Sequence, residues 1–115
     1  YEPDSATQRG STAVGATCDG SFSGTDTRDY YSLNLNGATN IRLALENLPS
    51  GTNWDALIYE DASGYPLACQ IGTAGDQNKY KNCTLDASKS YFVMVNAGTA
   101  PSKESNTYQM SVKQQ

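Results

Sequence analysis

A chain of 115 residues with eight basic and twelve acidic side chains, net charge −4, holds one domain with a modest core and offers little attraction to nucleic acid or an anionic membrane. Histidine is absent, which removes the usual general base of serine and cysteine hydrolases, the usual zinc ligand and the physiological-pH switch together. No two acids stand in an apolar setting that would push their pKa values apart, so carboxylate-pair catalysis lacks support, while metal cations and neutral polymers stay open as partners.

No apolar run approaches the roughly 18 residues needed to span a bilayer, and the N-terminus lacks the basic and apolar regions of a signal peptide. The expectation is a mature or excised piece. Three cysteines in a chain rich in Gly, Ser, Thr, Asn and Tyr point to a secreted protein.

Residues 1–13 have no sustained periodicity and read as an N-terminal segment distinct from a domain body at 14–115. A flexible tether gains nothing from Glu2 and Asp4, whereas a metal-pinned one needs such carboxylates. Ala16 to Ser23 reads as a first strand with Cys18 and Phe22 as its largest apolar groups, and Ser23-Gly24 ends it. The next stretch, 24–35, runs a polar turn carrying Asp26 and Asp29 into a strand whose Tyr31, Leu33 and Leu35 share one face. Two readings of the aspartates are open. Asp in a turn commonly caps a nearby backbone amide, but carboxylates at the mouth of a strand also suit a hard cation such as calcium, which takes about six to eight oxygens in an irregular cage.

Asn36-Gly37 is a turn, and Ile41, Leu43 and Leu45 then alternate with polar or small residues as a half-buried strand. Pro49-Ser50-Gly51 turns the chain into Trp54 to Tyr59, an apolar strand covered on most of both faces. Leu67 to Ile71 and Lys79 to Leu85 flank a polar connection expected to be of hairpin type. Ser90 to Asn96 and Thr107 to Val112 complete the set. Strands at intervals near ten residues without a helical period predict an all-β fold, an antiparallel β-sandwich of about eight strands, with Trp54, Tyr31, Tyr91 and the Leu/Ile rows between its sheets.

Cys69 and Cys83 lie in the two strands flanking the polar connection, so antiparallel pairing is expected to set them opposite one another as a disulfide. Cys18 is then a buried thiol or the site of a bond to a partner chain. Asn82-Cys83-Thr84 also fits the glycosylation acceptor pattern, relevant only in a eukaryotic host.

The order of these features resembles the bacterial pre-peptidase C-terminal domain family, which includes the collagen-binding domains of clostridial collagenases. Glu2-Pro3-Asp4-Ser5, the segment Gly24 to Leu33, Asn47-Leu48 with Trp54 to Tyr59, Ser90 to Val95 and Thr107 to Val112 carry the resemblance over nearly the whole chain. It implies a jelly-roll-like, non-catalytic, monomeric module appended to a secreted hydrolase, with calcium shared by Glu2, Asp4, Asp26 and Asp29. The family often has Glu-Pro-Asn-Asp where this chain has Glu-Pro-Asp.

Tyrosines on an exposed strand face grip the substrate in collagen-binding members. The aromatic expected just after the Tyr91 to Val95 strand is Asn96 here, which leaves Tyr59, Tyr65 and Tyr80 as candidates for a binding face. Three functions follow as expectations: a module targeting an extracellular protein polymer for a parent peptidase, a carbohydrate-binding module of a polysaccharide-degrading enzyme, or a structural or folding-assisting extension.

Overall fold

The computed structural model describes residues 9–22, 27–97 and 107–115. Nine strands are present among them: β1 (Gly10–Ala13), β2 (Thr17–Ser21), β3 (Arg28–Asn34), β4 (Asn40–Glu46), β5 (Asp55–Glu60), β6 (Leu67–Gln70), β7 (Lys79–Thr84), β8 (Tyr91–Asn96) and β9 (Thr107–Gln114). They form a five-stranded sheet in the order β1-β3-β8-β5-β6 and a four-stranded sheet in the order β2-β9-β4-β7. The expected β-sandwich is the observed fold.

Period-two alternation decides which side chains meet between the sheets. Tyr31 and Leu33 of β3, Ala56 and Ile58 of β5 and Val93 and Val95 of β8 face Ile41, Leu43 and Leu45 of β4 and Met110 and Val112 of β9 in one apolar cluster. Trp54 and Phe22 close one end of it, edge to face with ring centroids 5.0 Å apart. Tyr31, Trp54 and Tyr91 all lie in the core, at 6 % exposure or less.

β1 falls within the stretch read from sequence as an aperiodic N-terminal segment. It pairs in parallel with β3, Gly10 against Tyr31 through Ala13 against Asn34. Gly-Ser-Thr-Ala buries one side chain of four, Thr12, so the backbone ladder rather than any apolar pattern holds it, and composition gives no sign of it.

Cys69 and Cys83 are bonded, with Cα atoms 6.1 Å apart, but not across a hairpin. β6 is the last strand of one sheet and β7 the last of the other, so the bridge ties the two sheets along an edge of the sandwich. The connection crosses the gap alongside the β4–β5 loop, to which it is bonded: Gly72 N–H donates to Asp55 Oδ1 at 3.0 Å, Gly75 N–H to Asn53 Oδ1 at 2.9 Å, and Asp76 Oδ2 accepts Gly51 N–H at 2.6 Å. Positive φ at Gly72 (70°) and Gly75 (99°) lets the chain make that detour. Cys18 carries a free, half-buried thiol that donates to Thr12 Oγ1 at 3.1 Å.

Closing a loop of about 15 residues by this bond contributes about 3 kcal/mol in the chain-entropy model. The Cys69→Ser/Cys83→Ser double variant should therefore lose about that much in urea unfolding, and an unchanged midpoint would mean that packing alone holds the edge.

Candidate functional site: an aromatic groove on the five-stranded sheet

The outward faces of the two sheets differ in chemistry. On the five-stranded sheet the register builds three cross-strand rows: Arg28, Asn96 and Asp55; then Tyr30, Met94, Leu57 and Gln70; then Phe92, Tyr59 and Leu67. β8 is apolar on both faces, so Phe92 and Met94 need cover on the outside as Val93 and Val95 do on the inside. Larger neighbours supply it. Tyr59 stacks on Phe92 at 5.4 Å and 24°, Tyr30 leans on it at 6.0 Å, and Tyr65 meets it edge-on at 5.2 Å. Phe92 is left 2 % exposed, whereas Tyr65 and Leu67 remain 42 % and 53 % exposed.

Tyr65 reaches this position through local geometry. The β5–β6 register shifts between Ile58 and Tyr59, and Tyr65 adopts φ 44°, a left-handed conformation costly for an aromatic residue. Tyr65 N–H donates to Ala62 O and Glu60 N–H to Pro66 O, which fixes the turn over the sheet face. Arg9 closes the far side: its guanidinium lies 4.1 Å above the Phe92 ring and donates to both oxygens of Asp61, at 2.8 and 3.2 Å. That bond holds the Asp61 pKa below the ordinary carboxylate value.

Between the aromatic row and the polar row lies an open groove of about 540 Å³ lined by Tyr30, Leu57, Tyr59, Tyr65 and Met94, with Arg28, Asp55, Gln70 and Asn96 at its polar side. Asp55 is committed to the fold. Its Oδ1 accepts the amides of Ala56 and Gly72, and its Oδ2 takes Gln70 Nε2 at 2.9 Å, which orients that amide along the groove. The Tyr59 hydroxyl is pushed above its ordinary pKa, first by burial and then by Tyr30. Such a surface can stack rings or extended chain segments and offer a few directed hydrogen bonds.

Of the three tyrosines singled out from sequence, Tyr59 and Tyr65 come together here and Tyr80 does not. Tyr80 is 50 % exposed on β7, on the outward face of the other sheet. That face is polar: Tyr80 donates to Glu46 at 3.0 Å, Arg42 to Asn82 at 2.9 Å, and Thr84 to Asn40 at 3.0 Å. The strand β4 sets this apart, since its outward residues are Asn40, Arg42, Ala44 and Glu46. Sequence reasoning missed Tyr30, Phe92 and Arg9. Tyr30 and Phe92 were legible as out-of-phase aromatics in otherwise core-facing runs; Arg9 carried no signal.

Of the four acids assigned to calcium, Glu2, Asp4 and Asp26 lie outside the described residues. Asp29 is fully buried and points inward in phase with Tyr31 and Leu33. Its Oδ2 accepts the Tyr108 hydroxyl at 2.5 Å, and Tyr108 in turn stands 2.8 Å from the Tyr31 hydroxyl. Because Tyr108 spends its proton on Asp29, Tyr31 is the donor of the second bond. Among the described residues, no three acids, cysteines or histidines cluster as a metal centre.

No protein-family model matches the sequence, and no curated protein does. Solved structures do. The pre-peptidase C-terminal domain of a collagenase from Bacillus anthracis superposes with a TM-score of 0.70 over 92 % of this chain and 95 % of that one, at 22 % identity. The chain has the fold of a pre-peptidase C-terminal domain. A periplasmic inhibitor of g-type lysozyme from Aeromonas hydrophila is more distant, with a TM-score of 0.49 and 18 % identity over 90 % of this chain and 98 % of that one. Within the pre-peptidase C-terminal fold of this chain, the Asp29–Tyr108–Tyr31 link lies in the core and the aromatic groove faces solvent.

Burial, followed by the bond to Asp29, raises the Tyr108 pKa far above the ordinary tyrosine value. A hydroxyl whose folded pKa is raised lends stability that is fully present below about pH 10 and is lost as pH climbs beyond it. Tyr108→Phe should cost about 1–3 kcal/mol at neutral pH by taking the phenol from a buried carboxyl. It should also flatten the alkaline loss of stability, as read from urea midpoints at pH 8 to 11; equal alkaline slopes in both proteins would count against the buried phenol as its source.

Proposed function

We propose that this domain is a non-catalytic accessory module of a secreted bacterial hydrolase, a peptidase in the first instance, and that it docks as a monomer on an extended extracellular polymer through the aromatic groove. The observation that carries the reading is the pair Tyr59 and Tyr65 laid on a buried Phe92, with the exposed Leu67 next to Tyr59. An apolar platform already ordered before binding costs little further entropy to use. The likeness to a collagenase domain favours a protein polymer and a parent peptidase. The ordered amide of Gln70 beside Asn96 favours a second occupant, a polysaccharide, whose hydroxyls need donors and acceptors next to a stacking ring. A structural or folding-assisting extension would leave the groove unused.

Pull-down of the isolated domain on insoluble collagen, chitin, cellulose and alginate separates these. On the polymer that is bound, Tyr59→Ala and Tyr65→Ala should each weaken binding by about 1–3 kcal/mol, as truncated aromatic anchors do. Tyr80→Ala, on the opposite sheet, should leave it unchanged. Binding that survives the Tyr59/Tyr65 double variant would rule the groove out.

Calcium belongs to the same proposal as a stabilising ion held by Glu2, Asp4, Asp26 and Asp29. The family resemblance carries this part of the proposal, since Asp29, the one of the four among the described residues, is fully buried with its Oδ2 accepting the Tyr108 hydroxyl. At 100 times its dissociation constant, calcium binding only the folded state adds about 2.7 kcal/mol. The informative variant is Asp26→Asn, which leaves the Asp29–Tyr108 bond alone: wild type should melt lower in EDTA and the variant should not respond. A wild-type melting temperature indifferent to EDTA would remove calcium from the proposal.

A further inference from the structure

Arg9 is 52 residues from Asp61 in sequence, yet its guanidinium sits on the groove as a ligand would. One face lies on Phe92, the nitrogens fork onto the Asp61 carboxylate, and the Tyr65 side chain stands beside the same Phe92 ring, edge-on at 5.2 Å. A flat cation against an aromatic face, closed by a carboxylate and a phenol, is a recurrent solution for binding guanidinium groups.

The receiving half of this arrangement is built without Arg9. Phe92 is fixed by its register between β3 and β5, Asp61 N–H donates to Ser90 O at 2.8 Å, and Tyr65 N–H to Ala62 O at 2.9 Å with its ring edge-on to Phe92. Host and guest therefore come from separate parts of the fold. The Arg9 side chain is 14 % exposed and Asp61 39 %, so the site opens to solvent on the carboxylate side.

We propose that Phe92, Tyr65 and Asp61 form a receptor for an arginine side chain of a partner protein, filled in cis by Arg9 until the partner's arginine takes its place. The net charge of −4 favours a basic partner segment. The proposal builds on the docking reading, because Tyr65 and Phe92 belong to the groove as well, and it makes the polymer an arginine-bearing protein rather than a neutral polysaccharide. A tethered guest competes at an effective concentration in the millimolar range, so the intact domain resists free arginine.

The test is Arg9→Ala, titrated with Nα-acetylargininamide while the backbone amides of Asp61, Tyr65 and Phe92 are followed by NMR. Arg9→Ala should bind the probe about tenfold more tightly than wild type, given a millimolar internal competitor, and adding Asp61→Asn should abolish the gain. Equal binding by Arg9→Ala and wild type, or binding indifferent to Asp61→Asn, would overturn the proposal. If Arg9→Ala does not fold, Arg9→Lys keeps the charge without the planar fork and should still bind the probe more tightly than wild type; no gain there overturns the proposal equally. The probe is a single amino-acid derivative, so the outcome is independent of whether the groove holds a polymer: loss of polymer binding with arginine binding intact would fault the docking reading alone.

Discussion

The structure depends on one polar connection through an apolar interior. Tyr108 of β9, in the four-stranded sheet, donates to Asp29 of β3, in the five-stranded sheet, and accepts from Tyr31 of the same strand. In a low-dielectric core such bonds are strong, and equally costly to lose, so they fix how the two sheets sit on each other as apolar packing alone does not. The rest of that end of the sandwich accommodates them. Phe22 stacks on Tyr108 at 5.3 Å and Trp54 meets it edge-on at 6.4 Å. Opposite Tyr108 on β2 stands Gly20, where any Cβ would overlap the phenol ring and hydroxyl. Gly20 is thus set by the close approach of an aromatic ring, not by a turn.

A second polar device works at the β6–β7 margin. Lys79 is 1 % exposed, its ammonium donating to the Trp54 carbonyl, and burial lowers its pKa against the opposing pull of Asp55 and Asp76. With the disulfide further along the strand, this ties the loop bearing Trp54 to β7. Tyr108 and Trp54, in ring contact with each other, are thus each fastened to specific atoms. The outer groove inherits that rigidity because Phe92 and Val93 are neighbours on one strand: fixing the inner face of β8 fixes the outer one.

Most of this architecture was legible in the sequence. Alternation located the strands from β3 to β9 within a residue or two, and the same alternation, read outward, already contained Tyr30 and Phe92. It failed at β1, where Gly-Ser-Thr-Ala has no pattern and only the backbone ladder holds the strand. The disulfide pair was legible from spacing, but its path was not, since sequence proximity favours a hairpin and the side-chain contacts of Asp55, Asn53 and Asp76 that carry the loop between sheets are long-range. Asp29 was read as part of a turn although its parity with Tyr31 and Leu33 put it inside. Arg9 had no local reason to meet Phe92 and Asp61, so that part of the site emerges only from the assembled fold.

The two exposed tyrosine faces then differ in what a partner must give up to use them. On the four-stranded sheet Tyr80 is hydrogen-bonded to Glu46, which raises its pKa, and Arg42 lies 5.8 Å from its ring. A ligand that stacks there has to desolvate or displace neighbouring charges, whose recovery is incomplete once they are covered. On the five-stranded sheet Tyr59 and Tyr65 already rest on Phe92 by ring contacts, and Leu67 extends the apolar surface beside them. Covering those rings removes apolar area from water at roughly 25 cal/mol per Å² without breaking the contacts that hold them. Exposure alone therefore does not rank the two faces, and the ring-on-ring face is where association is favoured, although Tyr80 is the more exposed ring, at 50 % against 42 % for Tyr65.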